Sequence, residues 1–348
     1  MERPEAGTAF GYKLMSLFAT ACGRAAARLL LYPITLYFLV RRGPERRASR
    51  AYLQRITGRP ATLWQVARHI HCFAAVTLDR AFLLSERFKR FDVRTFGLPE
   101  LRAAWARQRG VLLLGSHLGS FDALRVLADL RREVKLRVVI DVEQNPTLSK
   151  TLNALDPELA RSIINARQSG TTTALAIKEA LDEEALVTLL ADRARPGNQV
   201  VDVDFLGCRA PFPTAPWQLA AVLKVPVVLC FGLYRGGNRY DLHFEVFSDG
   251  LVIERSGRQA SLQAVIQRFA DRLAHHARSA PYNWFNFYDF WHPVSAASAV
   301  DPARSDTRRA DASDAATTSS GARPNGDAAG RTARRGAPGD SRRARRHA

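Results

Sequence analysis

His117 and Asp122 are the residues of this chain whose types and spacing are best suited to shared chemistry. They lie in GVLLLGSHLGSFDALRVLADL, from Gly110 to Leu130. An imidazole beside a carboxylate can act as a general base whose tautomer the carboxylate fixes. Eight histidines give about one chance pairing with an acid five residues on, so context has to decide. Only His117 has such a partner. The plainer alternative is that His117 caps the following segment, with Asp122 supporting a helix N-terminus.

The elements around the pair suit chemistry. Val111 to Leu114 is an apolar run that reads as a buried strand, and a Gly-Ser turn follows. The spacing of Phe121, Leu124, Val126, Leu127 and Leu130 then predicts a helix. A strand-to-helix junction places side chains and helix-end N–H groups in the crevice of an α/β fold.

Further along, the pattern predicts a helix from Thr62 to Leu84, with His69, His71 and Asp79 on its polar face or locally satisfied rather than ligands. A short helix from Pro99 to about Arg109 follows. Strands are expected at Leu136–Ile140, Ala185–Leu190, Val200–Phe205, Val225–Leu233 and Tyr240–Val246. Helices are expected at Thr171–Leu181, Trp217–Leu223 and Gln259–Ala277, with LGCRAPFPTAP read as a turn-rich loop. The expectation is an α/β fold with a mostly parallel central sheet flanked by helices.

Composition bounds the function. The chain has 348 residues, 47% of them hydrophobic, with 51 Lys and Arg against 33 Asp and Glu, a formal net charge of +18. Such an excess favours phosphates, whether nucleic acid, an anionic membrane surface or an acidic partner. Nucleic acid is disfavoured, because no RNP-like motif, zinc spacing or helix-turn-helix signature accompanies the charge. Cys22, Cys72, Cys208 and Cys230 form no C-x-x-C pair and read as buried apolar residues, with no metal expected. The first residues, MERPEAGTAFGYK, lack the pattern of a secretory signal.

Ala25 to Val40, AAARLLLYPITLYFLV, is bounded by Arg24 and by Arg41-Arg42. It falls short of the ~20 residues of a typical span and contains Arg28 and Pro33. Its arginine rim and its tyrosines, Tyr32 and Tyr37, suit a helix in the headgroup region. A tilted span with a snorkelling Arg28 and a buried core helix stay open as alternatives. Residues 1–45 are therefore read as a membrane-associating segment and 46–293 as the catalytic domain. Residues 294–348, rich in Ala, Arg, Asp, Ser and Gly, are read as a disordered basic tail.

Several spaced blocks carry a resemblance. His117 and Asp122 in SHLGSFD match the H-x4-D/E motif of the lysophospholipid acyltransferase superfamily. ADR at Ala191–Arg193, DFLGCRAPFPTAPWQLA from Asp204, VPVVLCF and YNWFNFYDFW from Tyr282 follow in corresponding order. Together they resemble the late lipid A acyltransferase branch, and within it predicted acyltransferases of aryl polyene or glycolipid clusters. Two departures stand out. Ala215 stands where relatives often carry glycine, and Asn165 with Arg167 only loosely match an Asn-Arg signature.

The resemblance implies a glycerolipid acyltransferase-like fold and O-acyl transfer at the cytoplasmic face of a bacterial inner membrane. The acyl group would come from acyl carrier protein or acyl-coenzyme A and go to a lipid or glycolipid hydroxyl, without a cofactor. His117 would be the base and Asp122 would hold its other ring nitrogen. Backbone N–H groups at Gly119 and Ser120, with Arg167 or Arg193, would hold the oxyanion. Asp192 and Arg193 would bind a headgroup or form a structural ion pair. The Thr214 loop would line an acceptor or acyl channel, or simply be a turn before the helix from Trp217. The basic stretch Arg87 to Arg94 would meet lipid headgroups or a carrier protein, or stay a solvated face. The aromatic cluster Trp284, Phe285, Phe287, Tyr288, Phe290 and Trp291 is expected to be core, with a membrane-facing aromatic belt as the second reading. An idle lipid- or carrier-binding protein of the same fold is the competing reading.

Overall fold

A computed structural model describes residues 23–83, 89–107, 110–124, 135–141, 163–166, 169–194 and 197–291. In chain order the helices are α1 (Leu31–Arg41), α2 (Gly43–Thr57), α3 (Leu63–Leu83), α4 (Leu98–Trp105), α5 (Gly170–Asp182), α6 (Ala215–Leu223) and α7 (Arg258–Ser279). The strands are β1 (Asp92–Phe96), β2 (Val111–Gly115), β3 (Leu136–Ile140), β4 (Ile163–Asn165), β5 (Leu186–Leu190), β6 (Val200–Phe205), β7 (Cys208–Pro213), β8 (Val227–Gly236) and β9 (Arg239–Ser248). Most expected elements appear within a few residues of their sequence-based bounds.

Seven strands form one sheet in the order β1-β9-β8-β2-β5-β3-β4. Only the β8–β9 hairpin is antiparallel among its neighbouring pairs. Strand β2 lies at the centre and every one of its residues is buried. Its continuous apolar run fits a strand covered on both faces. Leu112 and Leu114 face one core, with Val187, Leu229 and Phe269. Val111 and Leu113 face the other, with Leu78, Val228 and Phe244. The period-two alternation of side chains thus divides one strand between two layers.

Four elements escaped the sequence reading: α2, β4, β7 and β1. β6 and β7 form a separate antiparallel ribbon, although β7 was expected to be loop because of Pro211 and Pro213. Proline is tolerated on a two-stranded ribbon because each strand has a free edge. Leu206 and Gly207 both have left-handed backbones (φ 52 and 82) and join the strands in a tight two-residue turn. Strand β1 lies in what was read as a basic solvated stretch; Arg87 and Phe88 of that stretch fall outside the described residues.

The N-terminal helix is tied to the protein body. Arg24 pairs with the buried Asp79 (2.7 Å), which also accepts from Tyr240 (2.9 Å). Arg28 donates to the Tyr234 hydroxyl (2.7 Å) and the Gly237 carbonyl (2.9 Å), so it does not snorkel. The α3 histidines find partners on other segments rather than locally: His71 meets Thr35 (3.2 Å), and the buried His69 meets Ser49 (2.8 Å) and the Trp284 carbonyl (2.9 Å). Burial brings His69 down to about 4, outweighing the Trp284 carbonyl, so it is neutral. Cys72 and Cys230 are buried as expected, whereas Cys208 is exposed. Cys22, the N-terminal residues read for a signal, and the tail from 294 lie outside the described residues.

Candidate active site

Strands β2 and β5 run parallel in a register that sets Gly115 opposite Leu190. The next residues therefore emerge together at the carboxyl edge of the sheet, Ser116-His117 from one strand and Ala191-Asp192 from the other. Open α/β sheets bind ligands at this edge. The structure uses it to join His117 to Asp192: Nδ1 lies 2.8 Å from Oδ1, and the His117 amide donates to Oδ2 at 3.0 Å.

Asp192 is fully buried, and its carboxylate is the hub of the site. Oδ2 also accepts from Trp284 Nε1 (3.1 Å) and Asn286 Nδ2 (3.3 Å). Burial works against the charge, yet the His117 contact and the nearby Arg193 outweigh it and bring Asp192 down to about 2. A buried carboxylate stays ionised when this many donors surround it. Burial, followed by the charges of Arg193 and Arg80, pushes the His117 imidazole below its ordinary 6.5 despite Asp192. The ring is thus neutral at pH 7. An ionised carboxylate accepts from Nδ1–H, which leaves the Nε2 lone pair free to take a proton. The His117 side chain is 27% exposed, and Nε2 has no hydrogen-bond partner among the described residues.

Asp122, expected on the His117 ring, is elsewhere. Its Oδ2 accepts from Arg80 Nε of α3 at 2.8 Å. The reason is local. After His117 the chain does not coil directly into a helix, because Gly119 N–H donates to the Asn283 carbonyl and Ser120 N–H to the Gly232 carbonyl, both at 2.7 Å. Asp122 then opens a single 3-10 turn, Asp122–Leu124, that faces α3. The rest of the helix expected to Leu130 lies outside the described residues.

The same two hydrogen bonds correct a second expectation. The Gly119 and Ser120 amides are already engaged, so they are not oxyanion donors here. Gly119 holds the chain in this course: its φ is +76, and a Cβ there would lie 1.9 Å from the Gly232 carbonyl oxygen. Gly119→Ala should therefore lower stability by at least about 2 kcal/mol in a denaturant melt, since left-handed backbone and overlap add. A near-normal melt would show that this segment yields. The side-chain hydroxyls of Ser116 and Ser120 are buried and have no hydrogen-bond partner among the described residues.

The other expected site residues divide in two. Arg193 is exposed, yet its guanidinium is held by Asn286 Oδ1 (2.6 Å from Nη2, 3.2 Å from Nε) and lies 5.2 Å from the Tyr288 ring centre. Thr214 serves the start of α6, and its N–H and hydroxyl both donate to the Gln199 carbonyl. No hydrogen bond joins it to His117 or Asp192. Ala215 begins α6 with ordinary helical backbone, so a glycine is not needed there. Arg167 lies outside the described residues. Among the described residues, no group of three His, Cys, Asp or Glu stands within metal-ligating reach.

The aromatic segment from Tyr282 supplies what the sequence reading missed. Trp284, Phe290 and Trp291 are core as expected, packing on Phe205. The segment also crosses the His117 loop: Leu118 bridges Trp284, and Phe285 N–H donates to the His117 carbonyl (2.9 Å). Its two asparagines then reach inward, Asn286 to Asp192 and Asn283 to both backbone groups of Tyr234. Polar amides inside a run of aromatics were the available signal.

A profile of the bacterial lipid A biosynthesis acyltransferases matches residues 63–292, well over half of the chain. Comparison with curated proteins gives no match. The matched region runs from the start of α3 through the aromatic segment, and so contains His117, Asp192, Arg193 and Asn286. With its membrane-compatible N-terminal helix and this match, the chain belongs to the bacterial lipid A biosynthesis acyltransferase family and is a membrane-associated acyltransferase of lipid type.

Proposed function

We propose that the chain moves a fatty acyl group from a thioester of acyl carrier protein or coenzyme A to a hydroxyl of a lipid A-like, glycolipid or polyene-lipid acceptor. The observation that carries this reading is the neutral His117, fixed through Nδ1 by a buried, ionised Asp192. An alcohol is a weak nucleophile until a base takes its proton during attack. His117 Nε2 accepts the hydroxyl proton as the oxygen bonds to the thioester carbonyl carbon. The oxyanion collapses, the C–S bond breaks, and the imidazolium returns the proton to the thiolate. Asp192 stabilises the imidazolium, and the exposed cation Arg193 stabilises the oxyanion. The test is thiol release by the purified protein from acyl carrier protein or coenzyme A thioesters. Release that rises with added lipid acceptor supports the reading; release indifferent to every acceptor hydroxyl contradicts it.

The membrane face follows from α1. Among the described residues one helical stretch, Gly23–Arg41, has the length and composition to cross a membrane. Arg24 meets Asp79 and Thr35 meets His71, so the stretch lies antiparallel to α3. Ala27, Leu31 and Thr35 are buried on the inner side, while Leu29, Tyr32, Leu36, Tyr37 and Val40 are exposed. Leu63 and the 75% exposed Trp64 lie towards the Val40 end. The chain is thus read as lying on the cytoplasmic leaflet of the inner membrane with this face in the lipid and Arg41 at its rim. Leu36→Glu removes an apolar side chain worth about 1.5–3 kcal/mol on full burial. It should weaken co-sedimentation with phosphatidylglycerol vesicles at least about tenfold. Unchanged binding would point to the basic surface alone.

A further inference from the structure

Asp192 and Arg193 are sequence neighbours of opposite charge at one strand end, yet no salt bridge joins them among the described ion pairs. Asn286 lies between. It is only 2% exposed, and both ends of its amide are used in the right sense. Oδ1 accepts from Arg193 Nε and Nη2, and Nδ2 donates to Asp192 Oδ2. The Phe285 carbonyl (3.5 Å) and the Tyr288 ring add neutral contacts to the guanidinium. Among the described residues the cation is thus braced by uncharged groups, and it stays exposed. We propose that Asn286 is a positioning residue that keeps Arg193 off Asp192, so that the carboxylate serves His117 and the guanidinium serves charge developing on the substrate.

The physical case is one of competition. A guanidinium that reached Asp192 would form a bidentate pair with it and displace the contacts that orient the imidazole. Asparagine prevents this with a short neutral group that accepts on one side and donates on the other. Aspartate would set two carboxylates against each other, and leucine would leave both ions without the partner. What Arg193 does for the reaction rests on the acyl-transfer reading; the separation of the two charges does not.

The test follows the His117 imidazole by NMR through a pH titration, which needs no turnover, in parallel with kcat and KM for thioester consumption. Among the described residues, the charged groups that act on the ring are Asp192, which bonds it, and Arg193 and Arg80, which act through their charge. In Asn286→Leu, Arg193 closes on Asp192, so the His117 midpoint moves to lower pH. In Asn286→Asp, the added negative charge moves it to higher pH. In both, kcat falls at least about tenfold while KM changes less, as expected for a group acting at the transition state. The coupling is measured in an Arg193→Gln background, where Asn286→Leu should no longer move the midpoint downward. A purely structural Asn286 would lower the melting temperature and shift the midpoint the same way in both variants, or leave it in place. Either result overturns the proposal. If the midpoints move as stated while no thioester is consumed, the charge separation stands and the acyl-transfer reading fails. Should Asn286→Leu not fold, the Asn286→Asp shift and the loss of the Arg193 effect in Arg193→Gln decide.

Discussion

His117→Ala should lower acyl transfer by about 10²–10⁴-fold, the usual contribution of a positioned general base. The fold should survive. His117 is partly exposed, so water can replace the imidazole at Asp192 Oδ1 and limit the cost of an unsatisfied buried acceptor to about 1–2 kcal/mol. Rates at matched folded protein, with a thermal melt as control, check this. The pH dependence is a second check. The base works when neutral, and its proton affinity is depressed by burial and by Arg193 and Arg80. Wild-type activity should therefore be level near pH 7 and fall only as pH drops below the ordinary imidazole value of 6.5. A decline that starts above 6.5 would place a different group in control.

The second large effect is expected at Asp192, and its contrast with Asp122 makes it informative. Asp192→Asn keeps the shape but reverses the chemistry at Nδ1. An amide NH2 facing the ring favours the tautomer with the proton on Nε2, which can no longer accept one from the substrate. If the amide turns the other way, its NH2 meets the His117 and Trp284 N–H donors instead. Activity should fall about 10²–10⁴-fold and stability by about 1–3 kcal/mol. Asp122→Asn keeps an acceptor for Arg80 and leaves the His117–Asp192 contact alone, so it should cost less than about tenfold. Comparison of the two rates checks the assignment. If Asp122→Asn is the crippling change and Asp192→Asn is mild, the spacing in SHLGSFD names the partner better than this geometry does.

Why spacing misled at Asp122 is a matter of long-range contacts. The strand Val111–Gly115 and the place of His117 at its carboxyl end were legible, because a continuous apolar run ending in Gly-Ser-His has few alternatives in an α/β chain. The path after His117 was not. It depends on two backbone hydrogen bonds from residues more than a hundred positions away, the Gly232 and Asn283 carbonyls. Local periodicity carries no trace of those bonds. Asp192 was singled out for a headgroup or an ion pair, since its strand was visible but the register of β5 against β2 was not. The same holds for Asn286, whose role requires the aromatic segment to cross the His117 loop. Strand β7 was hidden by its prolines, and β1 by its charges. Whether Arg28 snorkels in a tilted span stayed open in the sequence, because its partners, Tyr234 and Gly237 on the β8–β9 hairpin, lie more than two hundred residues away.

The central claim is that this chain acylates a lipid hydroxyl using His117, and lipid mass spectrometry tests it most directly. Cells producing wild-type protein or His117→Ala at matched levels would be compared for lipids, glycolipids and polyene conjugates. The account predicts at least one species heavier by a single acyl unit in wild-type cells and absent with His117→Ala, and that species would name the acceptor. An acylated product equally abundant with both proteins would contradict it.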